Sequence, residues 1–246
     1  MAHVIAITSG KGGAGKSSVT VGLATAFAAI GRKVLILELD LGLRCIDIML
    51  GLEHQIVYDL GDVVNGSCRV RDAIVASDRR GRLDYIPAPM TISASFDFER
   101  VAMCIRSLKR EYDYILVDTP AGLGLSILSV KNLADLAVIV ATPDPVCIRD
   151  GEKVAVMIEQ MGFSNYKLII NRVSKRSMKK STIHDLDDVI DGVGAQLIGV
   201  VPENSEFQWA LGRGSWVESK NIVNQVFSAI VQRIEGTYIP LMIETL

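Results

Sequence analysis

The sequence predicts an α/β domain: a mostly parallel, twisted sheet of about seven or eight strands with helices on both faces. Three observations predict it. Apolar, β-branched runs of strand length recur at residues 3–8, 33–40, 83–88, 112–118, 134–142, 166–172 and 197–203. Several of them are continuously apolar, the mark of strands covered on both faces. Stretches of helical length or periodicity lie between or after them, at 19–30, 98–109 and 221–235, the last two with their apolar residues on one stripe. Finally, the first strand, helix and second strand are joined by short connections, which favours a right-handed βαβ unit. A length of 246 residues suits one such domain and is too short for two comfortable ones.

Composition is that of an ordinary globular interior, with 49% hydrophobic and 22% charged residues. A net charge of −2 gives the whole chain no electrostatic footprint for nucleic acid. Cys45, Cys68, Cys104 and Cys147 show no C-x-x-C and no short metal spacing, so free thiols of a reducing cytosol are expected. The chain enters its first strand at once, without a signal peptide, and no apolar stretch reaches the ~18 residues of a membrane span. No internal repeat or low-complexity segment is present.

Between the first strand and the first helix lies Ser9-Gly10-Lys11-Gly12-Gly13-Ala14-Gly15-Lys16-Ser17-Ser18. Gly10, Gly15, Lys16 and Ser17 satisfy G-x-x-x-x-G-K-[ST] in the strand–loop–helix setting that a phosphate-binding loop requires. Backbone N–H groups of residues 10–18 would turn inward around phosphate oxygens at the positive end of the helix dipole. Lys16 would reach the β- and γ-phosphates, and the Ser17 hydroxyl would ligate Mg²⁺.

Ligands of parallel sheets sit at the carboxyl ends of strands. Asp40 falls at one such end, where a carboxylate either positions the attacking water or holds Mg²⁺ through water; capping the following turn is the plain alternative. Asp118 closes a second apolar run as a Walker B-like carboxylate. It is expected to accept a hydrogen bond from the Ser17 hydroxyl or from a Mg²⁺-bound water, the alternative being a purely structural acid.

Lys11 exceeds the general pattern. Residues 11–17 read K-G-G-x-G-K-[ST], the deviant Walker A signature, and resemble the MinD/ParA family of ATPases. The resemblance implies ATP as substrate, Mg²⁺ as cofactor and a homodimer when ATP is bound. It also implies that Lys11 reaches across the dimer interface to the partner's ATP, the logic of an arginine finger carried by lysine. Lys11, Lys16 and Asp40 are then the catalytic set, and Ser17, Asp40 and Asp118 the metal set. Residues 40–47, Asp-Leu-Gly-Leu-Arg-Cys-Ile-Asp, are similar to the D-x-G-L-R-N-x-D segment of the septum-placing members. Glu38 stands where that group usually has Asp, and Cys45 where it has Asn, so the Mg²⁺ geometry or the switch motion is expected to differ.

Asp118-Thr119-Pro120-Ala121-Gly122 resembles the family's switch II, which implies that the Gly122 N–H meets the γ-phosphate and lets go when that phosphate leaves. Gly124 replaces a usual Glu. Residues 143–150 resemble N-P-E-x-x-x-x-R-D, placing Asp150 near the dimer interface; taken alone, an Asp early in a helix stabilises the dipole. The resemblance further places Asn171 and Arg172 at the adenine, with Pro202 and Glu203 flanking it, although an Asn also simply ends strands.

Two basic groups read most simply as solvated surface: Arg69, Arg71, Arg79, Arg80 and Arg82 among Asp72, Asp78 and Asp84, and Lys175, Arg176, Lys179 and Lys180. For the second, anionic lipid or nucleic acid is the other reading. Residues 1–236 are expected as the ATPase domain and 237–246 as a short tail. Septum-placing members usually continue into a basic amphipathic membrane helix, whereas no Lys or Arg follows Arg233 here, so the tail offers anionic lipid no electrostatic pull. The resemblance therefore implies a cytoplasmic switch, peripheral on the inner face of the membrane if it binds lipid at all. Its implied partners are a MinC-like division inhibitor and a MinE-like activator. A ParA-like or flagellar-number-regulator-like ATPase acting on DNA or another matrix is the alternative. An electron-transfer iron protein would need cysteines bridging a cluster between subunits, and Cys104 and Cys147 lack the glycine-rich settings of such ligands.

Overall fold

The structure, a computed structural model, describes residues 1–77, 82–91, 97–124, 131–174 and 185–241. Its strands are β1 (His3–Thr8), β2 (Val34–Glu38), β3 (Val75–Ala76), β4 (Leu83–Ile86), β5 (Tyr114–Asp118), β6 (Leu136–Ala141), β7 (Tyr166–Val173) and β8 (Leu197–Pro202). They form one sheet in the order β3-β4-β2-β5-β1-β6-β7-β8, parallel except for the short β3–β4 pair. The helices are α1 (Lys16–Ala29), α2 (Ile46–Leu50), α3 (Leu60–Asn65), α4 (Phe98–Leu108), α5 (Pro145–Gln160), α6 (Leu186–Val193), α7 (Ser205–Gly212) and α8 (Ile222–Ile234).

The apolar runs become strands because both sheet faces are covered. Along β2, Val34 and Ile36 join a core with Val19, Leu23 and Phe27 of α1 and Phe227 and Ile230 of α8. The alternate residues Leu35 and Leu37 join a second core with Leu60 and Val64 of α3 and Val101, Ile105 and Leu108 of α4. β1 lies at the centre between β5 and β6, and the strand order runs away from it in both directions. Its carboxyl end is therefore the crevice where such sheets bind ligands.

Boundaries move in informative ways. α1 begins at Lys16 rather than with the apolar stretch at Val19, so the loop's lysine and serine form the helix's first turn. β2 stops at Glu38, leaving Asp40 in the loop beyond it. Asp84 corrects the solvated reading of its neighbourhood: it is buried on β4, where the Tyr112 hydroxyl donates to it at 2.7 Å. Arg69 and Arg71 do lie exposed, paired with Asp72 and Glu111. After α8 the chain turns back, and Arg233 donates to the carbonyls of Ile198 (2.8 Å), Ile239 (2.8 Å) and Pro240 (2.6 Å). Asp78, Arg79, Arg80, the cluster Lys175, Arg176, Lys179 and Lys180, and tail residues 242–246 lie outside the described residues. All four cysteines are free. Among the described residues no helix is long and apolar enough to cross a membrane.

Candidate nucleotide site

The loop between β1 and α1 is wedged between two neighbours, and glycine is what lets it fit. Gly15 adopts φ +92°, and a Cβ there would stand 2.2 Å from Asn171 Nδ2 at the end of β7. A Cβ on Gly10 would stand 2.2 Å from the Asp150 carbonyl oxygen on α5. The Ser9 hydroxyl closes the turn by donating to the Lys11 carbonyl at 2.9 Å. Lys16 is 6% exposed at the start of α1, beneath the loop.

Asp118 is fully buried at the end of β5, with Ile7 opposite on β1 and Glu38 opposite on β2. Ser17 Oγ donates to its Oδ2 at 2.7 Å, and Thr20 Oγ1 donates to its Oδ1 at 2.9 Å. Burial raises its carboxyl to about 6 against the pull of Lys16 and the two hydroxyls. Thr20 went unnoticed in the sequence. Its signal was position: three residues after Ser17 on a helix, it shares that residue's face.

Asp40 stands on the loop after β2, beside a cavity of about 430 Å³ that Gly12, Gly13, Gly15, Lys16, Ser17 and Ser18 also line. Its carboxylate makes no hydrogen bond to a described residue, so the turn-capping alternative finds no bond. Burial raises its pKa while Lys16 lowers it. Glu38 behaves differently. It is wholly buried, accepts the N–H groups of Cys45 (2.9 Å) and Ile46 (3.2 Å) and the Tyr85 hydroxyl, and so ties the next segment to the sheet. Burial raises its carboxyl to about 7. Burial pushes the Cys45 thiol up to about 11. Arg44 and Asp47 of the same segment pair with each other at 2.7 Å.

A second cavity of about 370 Å³ opens on the other side of the loop, lined by Lys11, Gly12, Gly13, Ala14, Thr142, Pro143, Asp144, Cys147 and Arg172. Arg172 borders both cavities and has φ +57°, a left-handed backbone rare outside glycine and typical of functional sites. Asn171 is buried, and its Nδ2 donates to the Ala14 carbonyl at 2.8 Å, bracing the phosphate loop from below. Pro202 and Glu203 border neither cavity; the Glu203 N–H donates to the Val173 carbonyl. The Gly122 N–H donates to the Ser9 carbonyl at 3.1 Å, so meeting a phosphate requires that bond to exchange. Asp150 is the sixth residue of α5, past the turn where the dipole acts; its carboxylate faces Lys153 at 3.4 Å. The cap of α5 is Asp144 instead.

The residues present fit Mg²⁺ and a nucleotide triphosphate. A serine hydroxyl next to a buried carboxylate is a hard oxygen donor pair, and Mg²⁺ takes its other ligands from water and phosphate. Among the described residues no cluster of three or more His, Cys, Asp or Glu is present.

A glycine loop on a helix N-terminus, with a lysine below and a serine–carboxylate pair beside it, defines a P-loop nucleotide-binding protein. The family model of the CobQ/CobB/MinD/ParA nucleotide binding domain matches residues 5–217, and the chain belongs to that family. It is 34% identical to the septum site-determining protein MinD of Bacillus subtilis (strain 168) over 99% of this chain and 92% of that one. Its fold superposes on MinD in the MinC:MinD cell division complex of Aquifex aeolicus with a TM-score of 0.88, at 38% identity and 98% coverage of both chains. The MinD of Pyrococcus horikoshii OT3, complexed with Mg-ADP, gives 0.83 at 28% identity and 96% coverage of both. The chain is accordingly a MinD-type ATPase of that family; the ParA-like alternative is not favoured.

Proposed function

We propose that this chain is a nucleotide-driven switch that dimerises with ATP, recruits a MinC-like inhibitor of septation in that state, and resets on hydrolysis. Gly10, Lys11, Gly12, Gly13, Ala14, Gly15, Lys16, Ser17 and Ser18 cradle the phosphates, and Lys16 holds the β/γ bridge. Mg²⁺, when bound, would neutralise charge on the phosphate oxygens. Ser17 and Asp118 would hold it, with Asp40 either helping to hold it or orienting the water that attacks. Lys11 acts on the partner's nucleotide. Asn171 and Arg172 flank the base, with Pro202 and Glu203 beyond them. Gly122 reports the γ-phosphate by exchanging its bond to Ser9. ATP favours the dimer because it binds that state better.

The observation that carries this reading is the Ser17–Asp118 bond beneath a complete K-G-G-x-G-K-S loop, in a chain so similar to the MinD of a MinC:MinD complex. A MinE-like activator and a cytoplasmic, peripheral-membrane cycle complete the proposal, as does a body of 1–236 with a tail at 237–246.

The test is co-sedimentation with anionic liposomes in ATP and in ADP, with DNA and a MinC-like protein as parallel baits. Capture of the MinC-like protein in ATP alone is expected, and pelleting with lipid in ATP as well would make the membrane its matrix despite the short tail. DNA binding without lipid binding overturns the septation role. Dimers that form in ATP and capture the inhibitor but no lipid remove the membrane step alone.

A further inference from the structure

Within one subunit Lys11 already has a partner. Its Nζ lies 3.4 Å from Asp144 Oδ1 on the same chain, across the mouth of the 370 Å³ cavity. Asp144 is firmly placed, because the same oxygen accepts the Cys147 N–H at 3.0 Å and caps α5. The pair of contacts holds its carboxyl below the usual carboxylate range, first through the Cys147 N–H and then through Lys11. The start of the phosphate loop is seated on the same helix, since Gly10 packs directly against the Asp150 backbone. Asp150 itself does not compete for Lys11, being turned to Lys153. Lys11 and Asp144 are 46% and 45% exposed, open to an arriving subunit.

We propose that Asp144 is a positioning residue that parks Lys11 in cis. In the lone subunit the ion pair keeps Lys11 on its own chain, and dimerisation with ATP exchanges Asp144 for the partner's phosphates. This rests on the trans role of Lys11 proposed above. Asp144 therefore taxes assembly that is not rewarded by a triphosphate. A half-exposed pair of this kind is worth about 1.5- to 5-fold in an equilibrium, and a dimer breaks two, so the tax is about 2- to 25-fold in the dimer midpoint. An exposed lysine with no parking site would set no such threshold.

The test uses the full chain with Asp144→Asn and, independently, Asp144→Ser; both keep a side-chain oxygen to cap α5 while removing the charge. Sedimentation velocity over a concentration series gives the dimer midpoint in Mg·ATP, and titration at low protein gives the monomer's affinity for ATP. Both variants are expected to dimerise at about 2- to 25-fold lower concentration, with no matching gain in the monomer's ATP affinity. A midpoint that stays put or rises overturns the proposal. So does a matching gain in monomer affinity, which would make Asp144 a repeller of phosphate instead. Lys11→Ala separates the two readings: if it dimerises and hydrolyses ATP like the parent, the trans role fails. If it is impaired while the Asp144 variants are neutral, only the parking contact fails.

Discussion

Glu38 and Asp118 face one another across neighbouring strands, both wholly buried, and burial raises their carboxyls to about 7 and about 6. Their partners differ in kind. Asp118 receives two side-chain hydroxyls, from Ser17 and Thr20, both on α1. A hydroxyl rotates, and the one that donates to Asp118 can turn its lone pairs to a cation while the carboxylate does the same. Glu38 receives two backbone N–H groups, of Cys45 and Ile46, besides the Tyr85 hydroxyl. Backbone donors fixed by a helix start cannot be traded for a metal. One acid is thus kept in an exchangeable environment, and its neighbour is consumed in holding the segment that carries Cys45 to the sheet.

The largest expected effect lies on the exchangeable side. Asp118→Asn should lower Mg²⁺-dependent ATP turnover by ~10²-fold or more, in line with removal of a preorganised charge or of a metal's supporting shell. Folding stability at neutral pH should hold or rise, because burial of that charge is what lifts its carboxyl. Steady-state turnover and urea unfolding on the same variant check both halves. A stable protein with turnover within threefold of the parent would erase the contrast with Glu38.

The scaffold side should answer in stability. Glu38→Ala strands the N–H groups of Cys45 and Ile46 and the Tyr85 hydroxyl, at about 2–4 kcal/mol in urea unfolding. Its ionisation adds a pH signature. The carboxyl is raised from 4.5 to about 7 in the folded chain, so the folded state retains a proton that the unfolded state releases. That contribution is complete below pH 4.5 and is lost as pH rises through about 7, an amount on the order of 3 kcal/mol. Asp118 adds the same sign between 3.8 and about 6. Glu38→Gln should flatten the upper part of this slope; an unchanged slope would mean that Glu38 is ionised in the folded chain.

The same contrast explains what the sequence could reveal. The loop at 9–18 was legible because phosphate binding demands particular residues at fixed spacing, and Asp118 because it ends an uninterrupted apolar run. The sheet followed from those runs, since a parallel sheet hides both faces and leaves no polar alternation to confuse them. Glu38 read as a change in metal geometry or in the switch motion, because spacing cannot show that its carboxylate turns to the backbone seven and eight residues later. Lys11 and Asp144 are 133 residues apart and meet only through the sheet order. Asp84 looked like part of a charged surface; it lies on the buried strand β4, and the hydroxyl that satisfies it belongs to Tyr112, 28 residues further along the chain.

The finest test of the comparison is Thr20→Val. Thr20 has one hydroxyl proton and two acceptors in range, the Lys16 carbonyl at 3.0 Å and Asp118 Oδ1 at 2.9 Å. Valine keeps the shape and removes the donor, while Asp118 retains Ser17 and the field of Lys16. The expected cost is about 1 kcal/mol in stability, with turnover falling only a few-fold, far less than for Asp118→Asn. The direction of a pH shift is more telling than its size. The Thr20 bond favours the charged form of Asp118, so its loss should raise that carboxyl further and move the acidic limb of the turnover profile to higher pH. A limb that stays in place would assign the Thr20 proton to the Lys16 carbonyl, leaving Ser17 as the hydroxyl that tunes Asp118.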